Sequence, residues 1–237
     1  MRNILVTGSS GFIGKHLVAY LDSLNFNVHV LLRKHSSTDS KISASINRLY
    51  FDRDKTSLKE TKEIDCILHL ATCYGRADET REEIFDANLK YGLRVLELAK
   101  DIKAKYFINF DTSLPSNLND YSLSKAAFRS AIENLDHSNL NIINLRIETI
   151  YGPNKKGTDF SNLIIESCLE GANLIELSNC EQVRDFIFYK DLISCVETIL
   201  NNLLFLFSIL LIVTKNIELS KLKIILIFFA KEDTFLK

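Results

Sequence analysis

Tyr121 and Lys125 are the pair of residues whose types and spacing first suggest acid–base chemistry. They lie four residues apart in the segment YSLSK, so on a helix their side chains share one face. A phenol with a pKa of about 10 is a poor acid or base near neutral pH, and a neighbouring ammonium group lowers that pKa toward the working range. The pair predicts proton transfer with a substrate, although the same spacing also occurs on solvated helix faces.

Thr112 supplies a third polar group for the same chemistry. It follows the segment YFINFD, nine residues before Tyr121. A strand predicted over 105–110 places Thr112 at its carboxyl end, which is where ligands of parallel α/β sheets bind. Its hydroxyl can hydrogen-bond a substrate oxygen, so a catalytic set of Thr112, Tyr121 and Lys125 is predicted.

A glycine-rich turn near the start of the chain predicts a dinucleotide site. The segment TGSSGFIG directly follows the apolar run Ile4-Leu5-Val6. A strand that ends in such a turn lets the backbone approach a pyrophosphate, and the next helix directs its free N–H groups at the anion. The alternative is a turn that only packs a helix on a strand. The predicted cofactor contacts here are Gly8, Ser10, Gly11, Phe12, Ile13 and Gly14.

The end of the second predicted strand indicates which dinucleotide is bound. An acidic residue about 20 positions past the glycines would hold the ribose 2′-hydroxyl of NAD(H), but the segment here reads Leu31-Leu32-Arg33-Lys34. Two cations at this place favour the 2′-phosphate of NADP(H), with NAD(H) and a simple solvated basic turn as alternatives. Asp52 follows the next strand-like stretch and either accepts a hydrogen bond from the adenine amino group or starts a turn.

Composition limits the class of protein and its partners. The chain has 237 residues, of which 46% are hydrophobic and 25% charged, with a formal net charge of −1. This balance gives no reason to expect nucleic acid or an anionic membrane as a partner. The five cysteines are odd in number and lack C-x-x-C spacing, which argues against a disulfide framework and a zinc site. We therefore expect no metal, no secretory leader and a cytoplasmic location.

The elements that must position these residues alternate between strands and helices. Strands are predicted over 3–7, 27–32, 65–70, 105–110 and 141–147. Three helices are predicted, one directly after the glycine turn, one over 79–101 and one over 120–134. The apolar stripe of the first helix consists of Ile13, Leu17, Val18, Leu21 and Leu24. This alternation predicts an α/β fold, a doubly wound, Rossmann-like parallel sheet. The predicted organisation is a dinucleotide-binding domain over 1–150, a partial substrate region over 151–202 and an atypical tail over 203–237.

Several separate segments resemble one known family. They are TGSSGFIG, DCILHLAT at 65–72, DAN at 86–88, the set of Thr112, Tyr121 and Lys125, LRIETIYGP at 145–153 and VRDFIFYKDL at 183–192. Together they resemble the extended short-chain dehydrogenase/reductases that act on nucleotide sugars, and within them the 4-ketoreductases of CDP-linked sugars, over residues 1 to about 200. The resemblance implies an NADPH-dependent reduction of a nucleotide-linked 4-keto-deoxyhexose for surface polysaccharide, and a homodimer.

The resemblance also implies roles for individual residues. Thr112 would polarise the keto oxygen, Tyr121 would protonate it, and Lys125 would hold the nicotinamide ribose. Arg184 would meet the nucleotide diphosphate. The remaining implied contacts are Leu70, Ala71 and Asn88 on the cofactor side and Tyr74 on the substrate side.

One departure from the family pattern narrows the reaction type. Sugar-nucleotide 4,6-dehydratases of this family carry Asp-Glu directly after the catalytic Ser or Thr, whereas Ser113 and Leu114 follow Thr112 here. Dehydration is therefore disfavoured, which leaves 4-ketoreduction and 4-epimerisation. The two cations at the second strand end favour the reductase. An NAD-dependent 4-epimerase and a catalytically silent dinucleotide-binding module are the alternatives.

The amino-acid composition of the tail differs from that of the rest of the chain. No Gly or Pro follows Gly171, and the run from Leu203 to Val213 carries no charge. At 11 residues this run is shorter than the roughly 20 apolar residues that span a bilayer, so a buried helix or strand is favoured over a membrane anchor. We expect residues 203–237 to be a frameshifted or replaced segment, with a divergent, shortened C-terminal segment as the alternative.

Overall fold

The computed structural model describes residues 3–33, 43, 45–51, 63–135, 140–153, 155, 160–177, 183 and 185–213. Its contacts divide the chain into two compact units, Met1–Tyr189 and Lys190–Lys237. This boundary coincides neither with residue 150 nor with residue 202, and the predicted three-part organisation stays a prediction.

The first unit is built on a six-stranded parallel sheet. Its strands are β1 (Asn3–Thr7), β2 (Asn27–Arg33), β3 (Asn47–Phe51), β4 (Cys66–His69), β5 (Tyr106–Thr112) and β6 (Asn141–Ile147). They are ordered β3-β2-β1-β4-β5-β6, and every pair is parallel. This order reverses between β1 and β4, which is the topological switch point of a Rossmann sheet. The predicted fold class is confirmed, and all five predicted strands are present.

The helices between these strands are α1 (Phe12–Ser23), α2 (Arg81–Phe85), a π-helical turn (Asp86–Lys90), α3 (Tyr91–Asp101) and α4 (Asp120–Asn134). Two more helices, α5 (Phe160–Leu169) and α6 (Tyr189–Val213), follow β6 along the chain. A second, two-stranded parallel sheet pairs β7 (Thr149–Tyr151) with β8 (Phe186–Phe188). The sequence analysis did not predict β7 or β8, because three-residue strands carry too little periodicity to be recognised.

Continuous apolar runs make the core of the sheet. Ile4, Leu5 and Val6 of β1 are fully buried, as are Ile67 and Leu68 of β4. Strands that are covered on both faces need such runs rather than alternating polarity. Leu17 and Leu21 of α1 are fully buried as predicted, whereas Leu24 is 39% exposed. The prediction for Leu24 was wrong because α1 has ended there and Leu24 is its C-cap.

The helix predicted over 79–101 is interrupted in its middle. α2 begins after Thr80, whose hydroxyl accepts from the Glu83 amide in a capping box. The π-helical turn then inserts an extra residue before α3 begins. π turns of this kind occur often at functional sites, and this one carries the buried Asn88.

The run from Leu203 to Val213 lies within α6 and is helical. The strand alternative for this run is therefore wrong. Within the described part of the chain, none of the helices combines the length and apolar character needed to cross a membrane.

Candidate active site

The glycine turn between β1 and α1 is closely packed. Gly8 has a φ of +70°, and a Cβ placed on it would lie 2.6 Å from the Ala71 nitrogen. A Cβ on Gly14 would lie 2.1 Å from the Gly8 carbonyl oxygen. The Gly11 amide donates to the Gly8 carbonyl at 3.0 Å. No larger side chain fits at Gly8 or Gly14, so both glycines are required by the backbone itself.

The start of α1 is suited to hold an anion. Gly11 is its N-cap, and neither a capping side chain nor an acidic residue in the first turn competes for the amides there. Ser9, which the sequence analysis did not select, is buried, and its hydroxyl has no partner among the described residues. Exposed Ser10 and the first helical residues Phe12 and Ile13 adjoin the turn. This cradle fits a dinucleotide pyrophosphate.

The end of β4 closes against the glycine turn. The Thr7 hydroxyl accepts from the Ala71 amide at 3.1 Å and lies 2.9 Å from Nδ1 of His69. Leu70 also meets Gly8, since its carbonyl carbon would lie 2.7 Å from a Cβ there. Leu70 and Ala71 are therefore brought to the glycine turn, as their predicted cofactor role requires.

His69 is a core histidine rather than a ligand. It is fully buried, and its ring lies 5.7 Å from that of Phe107 and 5.6 Å from that of Phe128, between centroids. Burial lowers the pKa of His69 to about 3, and the charge of Lys125 acts in the same direction. His69 therefore stays neutral at all ordinary pH values.

The residues predicted to select the cofactor lie at the end of β2. Arg33 is the last residue of β2 and is exposed. β2 pairs with β1 up to Leu31 and Thr7. Arg33 therefore ends the strand that neighbours β1, and the glycine turn follows β1. Lys34 and Asp52 lie outside the described residues, and their roles stay predictions.

Thr112, Tyr121 and Lys125 come together at the end of β5. Thr112 is the last residue of β5 and is buried. Tyr121 lies in the first turn of α4, near enough to Thr112 for that side chain to lower the pKa of the phenol. Lys125 is only 2% exposed and donates at 2.7 Å to the carbonyl oxygen of Phe110. The predicted set thus shares one end of the sheet, with two hydroxyls close together and a buried amine on the same helix as Tyr121.

The protonation states differ from the sequence-based expectation. Burial raises the pKa of the Tyr121 phenol, and Tyr74 and Asp111 act in the same direction, against the hydrogen bond from Thr112 and the charge of Arg76. Burial lowers the pKa of Lys125 to about 8. The expectation of an acidified phenol was wrong, because the burial of Tyr121 outweighs the charge of Arg76.

Asn88 fixes the loop that follows β4. Its side-chain oxygen accepts from the Cys73 amide at 2.7 Å and from the Thr72 hydroxyl at 3.0 Å. Its side-chain nitrogen donates to the Cys73 carbonyl at 2.8 Å and to the Ser124 hydroxyl at 2.9 Å. Ser124 in turn donates to the carbonyl of Tyr121. Asn88 therefore ties the site loop to α4, and its predicted role on the cofactor side stays a prediction.

Tyr74 lies against the proposed reacting phenol. Its ring centroid is 4.9 Å from that of Tyr121, and the Arg76 guanidinium carbon lies 5.1 Å from the Tyr74 centroid. Tyr74 is 49% exposed, which places it between Tyr121 and solvent. Its predicted place on the substrate side stays a prediction. Arg184, the other predicted substrate residue, lies outside the described residues.

Asp111 and Arg129 are the main residues of the site that the sequence analysis missed. The Asp111 side chain is completely buried and forms an ion pair with Arg129. The sequence could have indicated Arg129, because it continues the four-residue spacing of Tyr121 and Lys125 and so lies on the same face of the helix. Among the described residues, no cluster of three or more His, Cys, Asp or Glu side chains could hold a metal ion.

Two known proteins with similar sequences are CDP-abequose synthases. CDP-abequose synthase from Salmonella typhimurium strain LT2 is 29% identical over 214 residues, which cover 84% of this chain and 70% of that protein. CDP-abequose synthase from Salmonella muenchen is 28% identical over 207 residues, with the same coverage of each chain.

Solved structures match this chain in fold. UDP-glucuronic acid 4-epimerase from Bacillus cereus, in complex with UDP-glucuronic acid and NAD, matches with a TM-score of 0.67 and 26% identity, covering 84% of this chain and 73% of that one. MoeE5 in complex with UDP-glucose and NAD matches with a TM-score of 0.68 and 25% identity, covering 82% and 70%. A family model described as the NAD dependent epimerase/dehydratase family matches residues 4–204. This chain belongs to that enzyme family.

Proposed function

We propose that this protein is an NADPH-dependent reductase of a nucleotide-linked 4-keto-deoxyhexose, similar to CDP-abequose synthase, that makes a sugar for surface polysaccharide. The observation that carries the proposal is that Thr112, Tyr121 and the buried amine of Lys125 lie together at the end of β5. This end of the sheet also carries the glycine turn, so a ketone and a dinucleotide would meet there.

The residues of the chain supply the proton and the binding contacts. When bound, a reduced nicotinamide supplies the hydride that the ketone carbon accepts. Tyr121 gives its phenolic proton to the ketone oxygen, and the Thr112 hydroxyl hydrogen-bonds the same oxygen as negative charge develops on it. Lys125 would hold the nicotinamide ribose, and its charge stabilises the phenolate that the proton leaves behind.

Two features support an NADPH-dependent reductase. Burial raises the pKa of the Tyr121 phenol, which therefore carries the proton that a ketone oxygen would receive. The exposed Arg33 at the end of β2 supports NADPH, because its guanidinium can pair with a 2′-phosphate.

The test is consumption of NADPH, followed by absorbance, with a CDP-linked 4-keto-3,6-dideoxyhexose. Tyr121→Phe removes only the proton donor, and we expect turnover to fall by about 10²- to 10⁴-fold. Tyr106→Phe is the matched control, since Tyr106 begins β5 at the opposite end from Thr112. It should keep nearly full turnover. Equal rates for Tyr121→Phe and the wild type would refute the assignment.

Denaturing the purified protein and identifying the released nucleotide separates the alternatives. A 4-epimerase, as the similar Bacillus cereus protein is named, would release NAD and would show no net cofactor consumption. A silent binding module would bind NADPH saturably and turn over no nucleotide sugar. Either result would replace the reductase.

A further inference from the structure

A buried ion pair lies directly behind the proposed catalytic set. Asp111 precedes Thr112 in β5, and Arg129 follows Lys125 by one turn of α4. The Asp111 side chain is 0% exposed and that of Arg129 is 20% exposed. A buried ion pair seldom adds net stability, because the cost of removing both charges from water offsets their attraction. Stability alone therefore does not account for this pair.

We propose that Asp111 and Arg129 are positioning residues for the Lys125 amine: their ion pair clamps α4 onto the end of β5 and sets the charge around Nζ. The inference rests on the proposed function for the role of the amine, but its main test does not.

The hydrogen bonds of β5 show how the clamp works. Oδ1 of Asp111 accepts from the Thr112 amide at 2.8 Å, and Oδ2 pairs with Nη1 of Arg129. Nζ of Lys125 donates to the Phe110 carbonyl at 2.7 Å. Three consecutive residues of β5 are thus fixed, and two of these contacts come from one face of α4. A loss of the pair would free both the helix face and the Thr112 backbone.

The charges around Lys125 come from three elements. Asp111 on β5 favours the ammonium form of Lys125, while Arg129 on α4 disfavours it. His69 on β4 is neutral because burial lowers its pKa to about 3. Tyr121 on α4 is neutral because burial raises its pKa. The two members of the ion pair are therefore the fixed charges that act on the amine in opposite directions.

The test is a pH titration of the Lys125 side chain by NMR, using labelled lysine and Lys125→Arg to assign the signal. Asp111→Asn should lower the titration midpoint by about one to three pH units, and Arg129→Gln should raise it. Asp86→Asn is the control, since Asp86 pairs with Lys90 in an exposed ion pair. It should leave the midpoint unchanged. A purely structural role predicts no such opposite shifts.

Additional variants keep the test decisive if a single substitution prevents folding. Arg129→Lys keeps the positive charge and should keep the midpoint of the wild type. The double variant Asp111→Asn, Arg129→Gln removes both charges without leaving one unpaired, and its midpoint should fall below that of the wild type, because Asp111 has the larger effect. Midpoints that do not move, or that move together in folded variants, would overturn the proposal.

The pH–rate profile of the reductase adds a kinetic readout. Turnover should fall on the alkaline side as Lys125 loses its proton, so Asp111→Asn should move this limb to lower pH and Arg129→Gln to higher pH. If the chain proves not to be a reductase, the NMR titration still decides the inference. The two failures are therefore distinguishable.

Discussion

Asn88→Ala tests whether a single buried amide holds the loop of the site in place. The side chain is 1% exposed and makes four hydrogen bonds, to Thr72, to the Cys73 amide and carbonyl, and to Ser124. At about 1 kcal/mol net for each bond, the loss would approach 4 kcal/mol. Thr72 and Cys73 are partly exposed, so water replaces some of these bonds. We expect the free energy of unfolding to fall by about 2 to 3 kcal/mol.

Urea denaturation measures this change, with two matched variants. Asn134→Ala removes an exposed amide that donates to the Ser130 carbonyl at 2.8 Å, and should cost less than about 0.5 kcal/mol. Asn88→Asp keeps both accepting contacts and loses both donating ones, so its cost should exceed that of Asn134→Ala. If Asn88→Ala costs no more than Asn134→Ala, the loop does not depend on this amide and the reasoning fails.

Three further variants test other parts of the site. Gly14→Ala should destabilise the protein by about 2 kcal/mol or more, since its Cβ would clash with the backbone. Gly11→Ala should destabilise it less, because the nearest atom to its Cβ would be 3.3 Å away, and comparable thermal midpoints for the two variants would contradict this. In the wild type, His69 has a native pKa of about 3, so below pH 6.5 only the unfolded state takes up a proton there, and the free energy of unfolding falls by about 2 kcal/mol from pH 7 to pH 5. His69→Gln should remove this fall, which urea denaturation at both pH values measures. Arg33→Ala should weaken NADPH binding about tenfold or more and leave NADH binding unchanged, and equal losses in a titration with each nucleotide would argue against a 2′-phosphate contact.

The strands of the parallel sheet could be predicted from the sequence because they are buried on both faces. β1 and β4 read as unbroken apolar runs, and such runs identify strands of parallel sheets without any knowledge of their neighbours. The glycine turn was equally accessible, since Gly8 and Gly14 are fixed by backbone contacts that no other residue permits. The proposed catalytic set of Thr112, Tyr121 and Lys125 was predicted from its place after a strand.

Other features depend on contacts between residues far apart in the chain. The π-helical turn adds one residue to a helix whose apolar period looks continuous, so periodicity does not reveal it. The pKa of Tyr121 depends on how deeply the phenol is buried, and the rule that a neighbouring lysine acidifies it left out that larger effect. The pairing of Asp111 with Arg129 joins residues 18 positions apart, on a strand and on a helix.

The buried polar side chains of β5 lie at its carboxyl end, whereas its amino end is apolar. Phe107 and Ile108 in its first half are fully buried and apolar, and they contribute burial without any need for partners. Asn109, Asp111 and Thr112 follow, also buried, and each polar group there costs free energy unless it is hydrogen-bonded. The Oδ1 atom of Asn109 has no partner among the described residues. A strand selected for stability alone would continue its apolar run, whereas the polar carboxyl end of β5 carries the groups that the proposed reaction would use, and burial of the apolar amino end offsets their cost.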